Sequence, residues 1–177
     1  MMGMNKLFYA VLNWVNSLFY SPERAIKAVI YIWVAAAVIV LLVKGIRVGY
    51  VKKRIHKLAN SAIQVTPQEF MRIRTVRDGR RYVSSNYEFP GVYILLNRTK
   101  NMSYVGQAAK VFQRVNQHFQ GRGNGDVYAD YKYGDDFVIK MIALRDSGFR
   151  SLDELERQTI QAYNAYYRGY NKTRGNR

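Results

Sequence analysis

A chain of 177 residues is long enough for one domain plus an appendage, and without a single cysteine it excludes disulfides and thiolate metal sites. Lysine and arginine outnumber aspartate and glutamate by 28 to 12, a formal net charge of +16. An excess of that size implies a polyanionic partner, either nucleic acid or an anionic membrane surface. Any metal would have to be held by oxygen and nitrogen ligands, and no internal repeat or low-complexity tract is present.

Residues 1–20 carry one charge, Lys6. The apolar run from Leu7 to Tyr20 has only 14 residues, is interrupted by Asn13, Asn16 and Ser17, and contains Trp14, which favours the headgroup layer. It reads as an interfacial amphipathic segment. A cleaved signal peptide is the alternative, but no Ala-x-Ala site closes the run and a second apolar segment follows at once.

Ser21, Pro22 and Glu23 supply an N-cap, a first-position proline and a first-turn acid, which start a helix. From Ala28 to Val43 no charge appears, and these 16 residues, extended by Ala25 and Ile26 with Lys27 snorkelling, reach the length of a spanning helix. A buried core helix is the alternative; apolar residues on every face and the basic residues that follow favour the membrane. Those residues are Lys44, Arg47, Lys52, Lys53, Arg54 and Lys57. They outweigh Lys6, Arg24 and Lys27 on the other side, so the positive-inside rule puts the C-terminal part in the cytoplasm of a single-pass protein of the cell membrane. Residues 21–57 are thus expected to form a transmembrane helix with a basic flank, whose charges suit anionic lipid or nucleic acid near it.

Residues 58–89 read as a connector. Thr66, Pro67 and Glu69 open a short helix, while the stretch from Phe70 to Val83 reads as a hairpin around Asp78-Gly79, with Arg72 and Arg74 sharing a strand face. Those two arginines are either a phosphate-contacting surface or a polar outer face.

Residues 90–177 hold the densest signals. Gly91 to Asn97 and Met102 to Gly106 are strand-forming runs joined by the polar turn Arg98 to Asn101, so an antiparallel hairpin holds Tyr93 and Tyr104 on one face and Ile94 and Val105 on the other. Between Ala108 and Phe119, Val111, Val115 and Phe119 recur at helical spacing, as do Arg114 and His118. The stretch from Tyr128 to Gly134 reads as a short helix closed by glycine, and Phe137 to Ala143 as a third strand with one face buried. Ser151 and Glu154 fit a capping box that starts a helix with Glu156 in its first turn. The loop around Gly121, Gly123 and Gly125 lacks the Gly-Lys-Ser/Thr ending of a nucleotide-hydrolase phosphate loop.

Gly91-Val92-Tyr93, Tyr104-Val105-Gly106, Arg114 ten residues after Tyr104, His118 a turn later, Leu155-Glu156 opening a helix with Ile160, and Gly169-Tyr170-Asn171 together resemble the GIY-YIG endonuclease family. The resemblance covers about the second half of the chain, with valine for isoleucine in both tripeptides. It implies an α+β fold, a small three-stranded antiparallel sheet flanked by helices, here preceded by a transmembrane helix.

It also implies a divalent-metal-dependent DNA endonuclease. Glu156 would be the ligand of one Mg2+ or Mn2+, Arg114 would hold the scissile phosphate, and Tyr93, supported by Tyr104, or Tyr104 itself would position and deprotonate the attacking water. A lone carboxylate suits one ion that also takes phosphate oxygens and water, whereas two metals would need more acids. A phenol is a poor base at neutral pH, so Arg114, the metal or Lys110 must favour its phenolate. His118 either hydrogen-bonds a tyrosine or a phosphate, or is structural; Asn171 either orients a tyrosine or Glu156, or is a turn residue. The expected partners are DNA and membrane lipid, without a small-molecule cofactor. The expected role is cleavage of DNA at the membrane, as in phage defence or superinfection exclusion, and the alternative is a non-catalytic membrane-tethered adaptor that binds nucleic acid.

Overall fold

The computed structural model describes residues 2–19 and 21–175. Met1 and Tyr20 of the predicted interfacial segment, and Asn176 and Arg177 at the end of the predicted nuclease segment, lie outside the described residues. The chain divides into two compact units, Met1–Val48 and Gly49–Arg177.

The first unit holds helix α1 (Met2–Phe19) and most of α2 (Pro22–Ser61). Ser21 caps α2 as its sequence dictates: the Arg24 N–H donates to Ser21 Oγ at 3.2 Å, with Pro22 first in the helix and Glu23 in the first turn. This helix is long and apolar enough to cross a membrane, and only 6% of its apolar window is buried. Tyr31, Trp33, Leu41 and Leu42 stand exposed around it, Trp33 by 73%. Contiguous apolar surface of that extent marks a binding face for lipid or protein. On α1, Phe8, Tyr9, Leu12 and Trp14 are likewise exposed.

The second unit is built on a sheet of four antiparallel strands in the order β1-β6-β4-β5, where three were expected. The hairpin forms as its sequence predicts, β4 (Gly91–Asn97) against β5 (Met102–Ala108), with Leu95 opposite Tyr104 and Tyr93 opposite Gly106. The additional strand is β1 (Ile63–Val65), which pairs with β6 (Phe137–Ala143) so that Gln64 faces Lys140. Three residues with a glutamine in the middle give too short an alternation to register as a strand. β6 lies between β1 and β4 with helices packed on both sides of the sheet, so it is buried on both faces instead of one. Its one cation, Lys140, is only 8% exposed and donates to Asn60 Oδ1 at 3.0 Å.

The segment from Phe70 to Val76 is not a strand. Thr66 and Glu69 form a complete capping box, the Glu69 N–H donating to Thr66 Oγ1 at 3.2 Å and the Thr66 N–H to Glu69 Oε2 at 2.7 Å, and helix α3 (Pro67–Thr75) follows. The cap and the proline outweigh the alternation of Ile73 with Arg72 and Arg74, which places both arginines on a helix. Only a two-residue-arm hairpin remains, β2 (Arg77–Asp78) with β3 (Arg81–Tyr82), turned by Gly79 at φ 58°, before a 3-10 turn over Val83–Tyr87.

Helices α4 (Val111–Phe119), α5 (Gly125–Lys132), α6 (Leu144–Ser147) and α7 (Leu152–Ala162) complete the unit. One face of the sheet, with Tyr93, Leu95, Ile139 and Met141, packs on Phe70 of α3 and on Val111, Val115 and Phe119 of α4. The other, with Val92, Ile94, Val105 and Ile142, packs on Ile55 and Ala59 of α2 and on Leu155 and Ile160 of α7. Each fully buried aliphatic side chain contributes about 1.5–3 kcal/mol, so the alternation along β4 and β5 fixes which residues face α4. At the start of α7, the Glu154 N–H donates to Ser151 Oγ at 3.2 Å, but the Glu154 carboxylate accepts from the Arg150 N–H at 3.3 Å, so half of the expected capping box forms. Glu156 stands just beyond the first turn, which holds Asp153 and Glu154.

Candidate active site

The edge of β5 is where both sides of the sheet become reachable at once. Tyr104, Val105, Arg114, Asn124, Glu156 and Asn171 line one open polar cleft of about 400 Å3 there. Arg114 reaches it from α4, over one face of the sheet, and Glu156 from α7, over the other. Four of the six residues singled out from sequence therefore line a common cleft. The other two, Tyr93 and His118, lie behind Tyr104, 1% and 0% exposed.

The three rings pack together, with centroids 6.2 Å apart for Tyr93 and Tyr104, 5.4 Å for Tyr93 and His118, and 4.7 Å for Tyr104 and His118. Gly106, cross-strand from Tyr93, is what gives this cluster room: a Cβ there would overlap the Tyr93 hydroxyl and lie 2.6 Å from its Cζ. The last residue of the second tripeptide is thus glycine because the tyrosine of the first occupies its side-chain space.

The hydrogen bonds around His118 fix its tautomer. The Asn124 backbone N–H donates to Nδ1 at 3.0 Å, so the ring proton sits on Nε2 and donates to the Tyr93 hydroxyl, also at 3.0 Å. Of the partners considered from sequence, His118 has taken a tyrosine. Burial first, and then the neighbouring Arg114 guanidinium, pull its pKa from 6.5 to about 4. Between those values the unfolded chain binds a proton that the folded chain refuses. The resulting stability is fully present above about pH 6.5 and is lost as pH falls towards 4, about 3 kcal/mol in all. The thermal midpoint is expected to drop between pH 7 and pH 5 more steeply in the wild type than in His118→Gln; parallel profiles would contradict this.

Both phenols are held protonated. Burial raises the pKa of Tyr93 far above its usual value, the adjacent Tyr104 raises it further, and Arg114 opposes both. Burial also raises Tyr104, with Arg114 and the Tyr93 hydroxyl lowering it and Glu156 raising it. Arg114 is the shared cation of the cluster and donates through Nη1 to Gln117 Oε1 at 2.7 Å. Lys110 is exposed at the N-cap of α4, outside the residues lining the cleft.

The Asn171 side chain hydrogen-bonds the backbone beside Tyr104. Its Oδ1 accepts the Val105 N–H at 2.8 Å and its Nδ2 donates to the Val105 carbonyl at 2.7 Å, replacing the strand that an edge lacks. The clamp acts on the residue next to Tyr104. It is itself held by Tyr170, whose N–H donates to the Ser103 carbonyl at 3.0 Å and whose hydroxyl joins Asn97 to Asp130, at 2.7 Å each. Sequence reading did not single out Gln107, whose Nε2 donates to Asp153 Oδ1 at 2.6 Å and to Glu156 Oε2 at 3.3 Å, or Asn124, which meets His118. Gln107 lies two residues from Val105, on the strand face turned towards α7, which is the one signal that could have found it.

As for a metal ion, no group of three or more His, Asp or Glu residues with ligand geometry occurs among the described residues. What the cleft offers is the Glu156 carboxylate, oriented by Gln107, with open space before it. Such a donor set fits a hard divalent ion of the Mg2+ kind, which keeps waters and takes substrate phosphate oxygens, and does not fit a caged structural metal.

A carboxylate and a guanidinium brought from opposite faces of the sheet line one cleft with a half-buried phenol, a set of groups suited to a phosphate ester. A family model described as GIY-YIG catalytic domain matches residues 89–171. Residues 89–171 therefore match the GIY-YIG catalytic domain, which implies a nuclease, and they follow the apolar helix in sequence. No curated protein and no solved structure matches it.

Proposed function

We infer that the protein is a divalent-metal-dependent DNA endonuclease anchored in a membrane by α2. The observation that carries the reading is the cleft at the edge of β5, where Tyr104, Arg114 and Glu156 face one another with Asn171 pinning the strand. Arg114 would neutralise the scissile phosphate, and Glu156 would hold Mg2+ or Mn2+, which supplies Lewis-acid stabilisation of developing charge when bound. Tyr104 is the phenol at the cleft wall, so we assign it the attacking water. Tyr93, donor and acceptor behind it, becomes the positioning residue with His118, the reverse of the order expected from sequence. Loss of the phenolic proton is assisted by the adjacent guanidinium, the one neighbour that lowers both tyrosines.

The full chain in detergent is expected to nick supercoiled plasmid with Mg2+ and to stop when a chelator is added. Plasmid that is bound but never cut would favour the non-catalytic adaptor. The anchor rests on the length and exposed apolar surface of α2, with the basic residues from Lys44 to Lys57 on the cytoplasmic side and DNA arriving at the bilayer as substrate. Carbonate-washed membranes should retain the chain, and its release into the wash would remove the anchor from the reading.

A further inference from the structure

A second hollow lies on the other side of the cleft's C-terminal wall. Thr173 lines the cleft, while Arg174 lines a cavity of about 320 Å3 together with Arg157, Ile160, Asn164, Tyr166 and Tyr167. On α7 the division is equally close, Glu156 facing the cleft and Arg157 the cavity. A volume at the small end of ligand sites admits a single flat ring system and little more.

Its walls have the chemistry of a base-stacking site. Tyr167 is 70% exposed and Tyr166 36%, whereas tyrosine is usually better buried. Their rings are 4.9 Å apart and nearly perpendicular, and the Arg174 guanidinium covers both, 5.2 Å from one centroid and 5.3 Å from the other. An exposed cation–π contact shifts an equilibrium only about two- to fivefold, whereas a base stacked on an aromatic ring is worth roughly five- to a hundredfold. Arg174 makes two such contacts, about five- to thirtyfold together, so a stacked nucleobase can displace it from one ring while the guanidinium stays near to meet its phosphate. Tyr167 also borders a neighbouring hollow with Asn101, Arg168 and Lys100, the last paired with Asp130 at 2.6 Å, so Arg168 and Arg174 are the cations beside the ring that form no ion pair with another described residue.

We propose that this cavity receives an unpaired nucleobase adjoining the phosphodiester held in the cleft, so that the substrate is DNA with a single-stranded segment in preference to intact duplex. The proposal rests on the nuclease reading for the phosphate's position. A duplex keeps its bases stacked inward and offers none to the cavity, whereas a single strand presents a π-face at every nucleotide.

The test uses full chain in detergent, with chelator present so that binding is read without cleavage. Anisotropy of labelled single-stranded and blunt duplex oligonucleotides gives an affinity ratio. Replacing Tyr166 and Tyr167 together by alanine is expected to lower the single-strand to duplex ratio about tenfold, and replacing both by phenylalanine to keep it. In parallel, 2-aminopurine within the single strand should be quenched by wild type and not by the alanine variant. An unchanged ratio, an equal loss on both DNAs, or no quenching overturns the proposal, since a merely structural role for the tyrosines would move both substrates alike. The nuclease reading fails separately: wild type that shows the ratio and the quenching but cuts nothing with Mg2+ keeps the cavity and loses the catalytic assignment.

Discussion

Glu156→Gln is expected to reduce plasmid cleavage by at least about a hundredfold, and Arg114→Ala by as much or more, without unfolding the protein. Both side chains are half-buried at the cleft rather than in either core, so the stability cost should stay near that of a surface substitution, about 0.5 kcal/mol, by thermal melt. The glutamine keeps the shape of Glu156 beside Gln107 and removes only its charge, which isolates ion binding. Arg114→Ala removes the phosphate's cation and also the guanidinium that lowers His118 and opposes the rise of both tyrosines. Tyr104→Phe should follow these two in severity and Tyr93→Phe should retain more activity, since only Tyr104 lines the cleft. Full activity in Glu156→Gln or in Arg114→Ala would refute the site, and a Tyr93→Phe defect deeper than that of Tyr104→Phe would exchange their roles.

Gly106→Ala is the second large effect, and it acts through space alone. The added methyl would lie 2.6 Å from Tyr93 Cζ and overlap its hydroxyl. An exposed ring could swing aside, but Tyr93 is 1% exposed and backed by His118, so relief requires strand displacement or loss of the Tyr93–His118 bond. Overpacking of this kind costs about 1–3 kcal/mol. A thermal midpoint lowered by several degrees and cleavage reduced at least tenfold are expected. Gly125→Ala is the stability control, since nothing lies within 4 Å of the position its Cβ would take and alanine suits a helix start better. A Gly106→Ala protein as stable as wild type would show that the ring cluster is looser than its packing implies.

The order of motifs along the second half of the chain makes four residues of the cleft lining legible in the sequence, because strand alternation and helical spacing are local rules. They placed Tyr93 and Tyr104 on one face, with Ile94 and Val105 on the other, and set Val111, Val115 and Phe119 at helical spacing, which the structure packs against the tyrosine face. What escaped was decided at a distance. Ile63 to Val65 became a strand only because β6 offered a free edge, and Asn171 clamps Val105 because β5 had no further neighbour. That Tyr104 lines the cleft while Tyr93 lies behind it is a matter of depth, which alternation cannot supply when both tyrosines share a face. At Thr66 and Glu69 the competing signals are both local: a cap that forms as its sequence predicts and an arginine alternation beyond it that the helix overrides.

The seam between β5 and the chain from Gly169 to Asn171 has a further consequence. A Cβ at Gly169 would overlap the Ser103 carbonyl, so only glycine lets the tail lie so close against the outermost strand. With Tyr170 and Asn171 satisfying Ser103 and Val105, the sheet's exposed flank is already spoken for. A neighbouring molecule arriving side-on at Ser103 and Val105 finds their ladder groups already taken, so the same three residues that pin the strand beside Tyr104 also act as a guard against fibril-like self-association at this edge.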